Sequence, residues 1–195
     1  LARGGGAAAG GAGGAGGEEG VEPGKFPETL TLSARKARDL RYGENPHQAG
    51  ALYVLGAGGV AGAPLLWGKE PSYTNYLDLD AAWRAACAFR DSAVAIIKHA
   101  TVCGLAEADD PASAFRAAWE TDSTSAFGSV VGCNRPVDLA LVREILSEKR
   151  FLEGLVAPSV APEALEALQS GARWGEKIRV LACGSAGGAA GGAAP

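Results

Sequence analysis

Lysine and histidine stand side by side at positions 98 and 99, closing an apolar run in the stretch VAIIKHATVCG. A buried strand has no structural use for two basic side chains at its tip. An imidazole near neutrality takes or gives a proton, and an adjoining ammonium stabilises a developing oxyanion. The residues that follow, ATVCG, are expected to add a hydroxyl and free backbone N–H groups. In an open α/β sheet such a strand end delivers these groups to the crevice beyond the carboxyl ends of the strands. The plainer alternative is a strand emerging into solvent.

Two further stretches hold chemistry-bearing side chains. DLRYGENPHQAGALY, residues 39–53, gathers Arg41, Tyr42, Glu44, Asn45, His47 and Gln48 around a glycine and a proline. Arginine is the natural partner of a phosphate through a charge-assisted, bidentate contact; a solvated turn is the alternative. TDSTSAFGSVVG, residues 121–132, sets four hydroxyls and an aspartate before Phe127 and Gly128. Glycine there lets a ligand approach the backbone, although a Ser/Thr turn between a helix and a strand also fits. The four cysteines include no C-x-x-C pair. His99 and Cys103 are four apart, but no second ligand pair accompanies them. No metal is expected, and the thiols read as small buried apolar groups.

These residues must be carried by regular elements. SAVAIIK reads as a buried strand, short, continuous and β-branched. DDPASAFRAAWE is a helix with Asp110 as N-cap and Pro111 in its first turn; Ala114, Phe115, Ala118 and Trp119 form its apolar face. SVVGC is the next strand. PVDLALVREILSEKR is an amphipathic helix with Val137, Leu141 and Ile145 on one stripe. LEGLVAP is a strand stopped by Pro158, PEALEALQSG a helix stopped by Gly171, and KIRVLA a last strand. Upstream, YLDLDAAWRAACAFR is a helix facing Leu79, Trp83 and Cys87 inward, and GALYVL and PLLWG are short extended pieces. The alternation predicts an α/β fold with a mostly parallel or mixed sheet.

Composition bounds the rest. The chain has 195 residues and a formal net charge of −4, with no basic block, which argues against nucleic acid as a partner. Sixteen of the first twenty residues, and ten of the last twelve, are glycine or alanine. Residues 1–22 and 184–195 are therefore expected to be disordered tails. No apolar stretch is long enough to span a bilayer, so a soluble, cytoplasmic protein is expected. The glycines at 56, 58 and 59 lead into VAGAPLLW, where no helix is expected, which makes a poor dinucleotide fingerprint.

Taken in order, LRYGENPHQ, SYTNYLDLDAAW, IIKHATVCGLA, DSTSAFGSVVGCNRPVD and FLEGLVAPSVAPEALEAL resemble the AICAR transformylase family, the C-terminal portion of the bifunctional purine biosynthesis protein. The resemblance implies a cytidine-deaminase-like three-layer α/β domain with a mixed sheet flanked by helices. It also implies formyl transfer from 10-formyltetrahydrofolate, as co-substrate, to the 5-amino group of AICAR. No tightly bound cofactor is implied, and active sites would form across a homodimer. By the same resemblance His99 is the proton acceptor and Lys98 the oxyanion stabiliser. Arg41, Tyr42, Gly128 and Glu153 would contact the nucleotide. Thr101 and Val102 stand where an asparagine and a proline are common, and Ser129 where a second glycine is common. On this reading residues 23–40 are an interdomain linker remnant and 41–183 the first half of the transformylase, with an incomplete folate pocket and no cyclohydrolase activity expected. A non-catalytic nucleotide-binding or assembly module that pairs with a separate second half is the other reading.

Overall fold

The computed structural model describes residues 26, 28–56, 58–148 and 150–184; the tails expected to be disordered, 1–22 and 184–195, lie outside them except for Gly184, whose N–H donates to the Pro158 carbonyl at 3.0 Å. Contacts divide the chain into Leu1–Leu32 and Ser33–Pro195, and all the described helices and strands belong to the second unit. In chain order these are β1 (Arg35–Leu40), β2 (Gly50–Val54), α1 (Gly59–Gly62), β3 (Leu65–Trp67), α2 (Tyr73–Cys87), β4 (Ser92–Lys98) and β5 (Thr101–Ala108). There follow α3 (Pro111–Thr121), α4 (Ser123–Ala126), β6 (Ser129–Cys133), α5 (Leu139–Leu146), β7 (Leu152–Ala157), α6 (Pro162–Gly171) and β8 (Arg179–Ala182).

Six strands form one mixed sheet in the order β3-β8-β7-β6-β4-β5. Strands β6, β7 and β8 run parallel, while β4 is antiparallel to both of its neighbours. A separate antiparallel pair joins β1 to β2. The period-two alternation of the strands sorts their side chains to two faces. Val94, Ile96, Val131, Leu155 and Val180 face a core built with α3, α5 and α6. Ile97, Val130, Val156 and Leu181 face a second core built with α1 and α2. Helices thus cover both faces, giving the three-layer α/β arrangement expected.

Local sequence explains where the helices start. Ser72 and Asn75 form a reciprocal capping box at α2. Asp110 accepts the Ser113 N–H at 2.9 Å ahead of Pro111, and Asp138 accepts the Leu141 N–H at 2.9 Å. Caps of this kind are worth about 1 kcal/mol each. The caps also correct two expected boundaries. Helix α2 begins at Tyr73, three residues early, because Ser72 caps it. Helix α5 begins only at Leu139, because Asp138 is its cap; Val137 is buried, but as an extended residue bridged to Val160.

Between α3 and α5 the buried Arg150 lies 5.3 Å from the Phe115 ring centroid and 5.4 Å from that of Trp119. Its charge is met by Glu144 Oε1 at 3.0 Å, and Glu144 in turn receives Arg116 at 2.6 Å. All four cysteines are free thiols, one buried and three half-buried. Burial pushes the Cys133 thiol up to about 11 and that of Cys183 to about 12, so neither is a nucleophile at neutral pH.

Candidate active site

The turn after β4 is tighter than its sequence suggests. Lys98 pairs with Thr101 across the β4–β5 hairpin, which leaves His99 and Ala100 as a two-residue loop. Both have positive φ, 52° and 58°, as a type I′ hairpin loop requires. Neither residue is glycine, so each costs on the order of 1 kcal/mol in the left-handed region. The expectation of free N–H groups along ATVCG holds only for one edge of β5, the last strand of the sheet. Residues 101–108 form a ladder with β4, and the Ala100 N–H donates to Asp78 Oδ1 on α2 at 2.7 Å.

Lys98 is half-buried and its Nζ donates to the Phe127 carbonyl at 2.7 Å. The next residue, Gly128, has φ 78° and donates its N–H to the Phe151 carbonyl at 2.7 Å. These bonds draw the carboxyl end of β4 to the amino ends of β6 and β7. A cavity of about 480 Å³ lies there, and Lys98, His99, Gly128, Asn75, Asp78 and Glu153 are among the residues lining it. Its position corrects the crevice expected beyond the carboxyl ends of the strands. Because β4 runs antiparallel to β6, its last residues meet the first residues of the parallel strands instead.

Glu153 and Phe151 also line a smaller hollow of about 170 Å³, together with Arg41, Lys69, Lys177 and Arg179. Four cations there face a single carboxylate, a composition suited to an anion. Arg179 is buried; its Nη1 approaches the Glu153 carbonyl at 3.4 Å and Glu153 Oε2 at 3.6 Å, while its Nε has no partner. Burial, opposed by Glu153 and reinforced by Arg41, lowers its pKa from the ordinary arginine value. Asn75 Nδ2 reaches Glu153 Oε2 at 3.5 Å, so α2 also helps to place that carboxylate.

Arg41 stacks its guanidinium 4.7 Å from the Tyr42 ring centroid and donates to the Tyr42 hydroxyl at 3.0 Å. That bond is the main reason the phenol pKa falls below its ordinary value. Other polar heads of the loop close it upon itself. Gln48 Oε1 accepts the Asn45 N–H at 2.8 Å, and Gly43 N–H reaches the Gln48 carbonyl at 2.8 Å. The hydroxyl-rich stretch is likewise partly structural. Asp122 accepts both the N–H and the hydroxyl of Ser125, at 3.0 and 2.6 Å, capping α4. Asp122 and Ser125, with Thr101 and Cys103, border a second cavity of about 510 Å³ that Lys98 and His99 also line.

Of the six residues singled out in the sequence, Lys98, His99, Gly128 and Glu153 share one cavity, and Arg41 lines the hollow next to it. Tyr42 supports Arg41. Asp78, Lys69, Lys177 and Arg179 were missed. The available signal was an arginine inside the apolar run KIRVLA, the same kind of signal that marked Lys98. Among the described residues no group of three or more His, Cys, Asp or Glu side chains is placed to hold a metal ion, and no helix is long and apolar enough to cross a membrane.

A family model for the AICARFT/IMPCHase bienzyme matches residues 16–191. The bifunctional purine biosynthesis protein PurH of Acidithiobacillus ferrooxidans is 46% identical over 158 residues, which cover 80% of this chain and 29% of that protein. PurH of Neisseria meningitidis is 45% identical over 148 residues, covering 74% of this chain and 28% of the relative. The chain therefore spans under a third of the length of these relatives. From a match that runs through the site as well as the scaffold, we conclude that the chain belongs to the AICARFT/IMPCHase bienzyme family.

Proposed function

We propose that this chain binds AICAR and supplies the proton acceptor and oxyanion stabiliser for formyl transfer from 10-formyltetrahydrofolate, a step of purine biosynthesis. One observation carries the reading: Lys98, His99, Gly128 and Glu153 line one cavity beside a hollow ringed by Arg41, Lys69, Lys177 and Arg179. The nucleotide phosphate belongs among the four cations, and the ribose hydroxyls belong against Glu153. The aminoimidazole then lies toward Gly128, where the missing side chain leaves room.

The amine of AICAR is a poor nucleophile because its lone pair is drawn into the ring and the neighbouring carboxamide. As it attacks the formyl carbon it must lose a proton, and His99 takes it. Charge builds on the formyl oxygen, where the Lys98 ammonium stabilises it. The bond from the formyl carbon to N10 of the folate then breaks, N10 takes a proton, and formylated AICAR and tetrahydrofolate leave. No bound cofactor enters these steps. Homodimeric assembly and a cytoplasmic location accompany the resemblance as further proposals; sedimentation of the purified chain tests the first.

The reading is tested by titrating the chain with AICAR and with the same nucleoside lacking its phosphate. Loss of the phosphate should weaken binding about tenfold or more, the scale of one or two charge-assisted contacts. Equal affinity for the two ligands would remove the phosphate from the basic hollow. Formyl transfer is measured in parallel, on the chain alone and after mixing with the remaining portion of a family member. Binding without transfer in either assay favours the non-catalytic nucleotide-binding module.

A further inference from the structure

We infer that Asp78 is the positioning residue of the His99 turn, holding the imidazole in place from a different element of the fold. The inference rests on the reading of His99 as proton acceptor and adds to it the group that makes the geometry available.

The loop is locally unfavourable. Two-residue hairpin loops with positive φ at both positions favour Asn-Gly or Asp-Gly, whereas this one carries His99 and Ala100. An L side chain in that region raises the energy of the turn relative to a relaxed loop. Something outside the hairpin must restore the balance. The Ala100 N–H points at Asp78 Oδ1, 2.7 Å away. An N–H donated to a carboxylate is stronger than one donated to a neutral acceptor, and this one is made in the observed loop conformation.

Asp78 is suited to the task because it is anchored independently of the loop. It sits in the second turn of α2, next to the fully buried Leu79 and three residues beyond Asn75 of the capping box. Asn75 meanwhile reaches Glu153. One helix face thus holds both the carboxylate expected at the ribose and the turn that carries the imidazole. A displacement of about 1 Å at a catalytic group can cost on the order of 100-fold in rate, so a helix-borne acceptor is a consequential device.

The test uses the whole chain and reads the turn directly. Amide hydrogen exchange at Ala100 and the amide-to-Hα couplings of His99 and Ala100 are measured by NMR, followed by the change in the His99 ring resonances on adding AICAR. Asp78→Ala should speed Ala100 exchange about tenfold or more, alter both couplings and diminish the AICAR-induced change at His99. Asp78→Asn keeps the Oδ1 acceptor and should hold the acceleration to about threefold. Adding Ala100→Gly to Asp78→Ala should restore the response at His99, since glycine enters the left-handed region unaided. Unchanged exchange and couplings in a folded Asp78→Ala would overturn the assignment, as would an Asn variant as impaired as the Ala variant. Should the unmodified chain show no AICAR-induced change at His99, the functional reading fails, and Ala100 exchange still decides what Asp78 does.

Discussion

At the amino end of β4, Asn134 uses both heads of its side chain. Oδ1 accepts the Ala93 N–H at 2.8 Å, while Nδ2 donates to the Phe89 and Asp91 carbonyls at 3.1 and 2.7 Å. Arg135 beside it donates to the Arg90 carbonyl. At the carboxyl end of the same strand, the His99 side chain makes no hydrogen bond among the described residues, and its backbone sits in a region that glycine favours. Both ends open on hollows of similar size, about 420 and 480 Å³, so concavity does not tell them apart. Backbone geometry does. A buried amide with every group paired stabilises the fold; a solvent-exposed imidazole on a strained loop, held from another element, is an arrangement from which chemistry is inferred.

Substitutions at the two ends should therefore separate function from stability. The largest effect belongs to His99→Ala, which should lower formyl transfer on the order of 1,000-fold and leave the urea midpoint where it was. A transfer rate within experimental error of the parent would take the proton-acceptor role away from His99. Asn134→Ala should do the reverse. It leaves the buried Ala93 N–H and two part-buried carbonyls of the 89–91 turn without their side-chain partner, at a cost of about 2 kcal/mol in unfolding free energy. AICAR affinity of the folded protein should not change, and a loss of affinity matching the loss of stability would erase the contrast drawn here.

An effect no larger is expected from Glu144→Gln, away from both ends, at about 2 kcal/mol. The hydrogen bond from Arg116, with that from Arg150, holds the Glu144 carboxyl below its usual range. The folded-state pKa lies under the unfolded one, about 4.3. The contribution is therefore complete above that pH and is lost as acid carries the pH down through the folded value. Urea unfolding from pH 7 to pH 3 should show this acid loss in the parent and less of it in Glu144→Gln. Parallel pH curves would place the acid sensitivity elsewhere.

Much of this was legible in the residues. Strand β4 announced itself by a continuous apolar run rich in β-branched residues, and α3 by Asp110 and Pro111. Strand β5 was not legible, because ATVCG was expected to follow the strand end as a stretch with free backbone N–H groups. Its actual role lies in tertiary packing: a Cβ at Gly104 would sit 1.9 Å from the Ala118 carbonyl of α3. No local pattern reports a neighbour fourteen residues away. The same limit explains the basic hollow. Lys69 and Arg179 are separated by more than a hundred residues and meet only because β8 begins where the loop before α2 passes. Asp78, in turn, was indistinguishable from any acid on a helix's polar side until the loop it serves was in view.

The brevity of the hairpin loop also constrains how this chain can vary. With His99 and Ala100 as its whole span, an insertion between β4 and β5 would displace the imidazole and slide β5 by one position against its partner. That slide would bring Cys103 or Leu105 to the place beneath Ala118 that tolerates no side chain. Length change at this point is thus opposed twice, once by the chemistry proposed for the turn and once by the helix lying across the sheet.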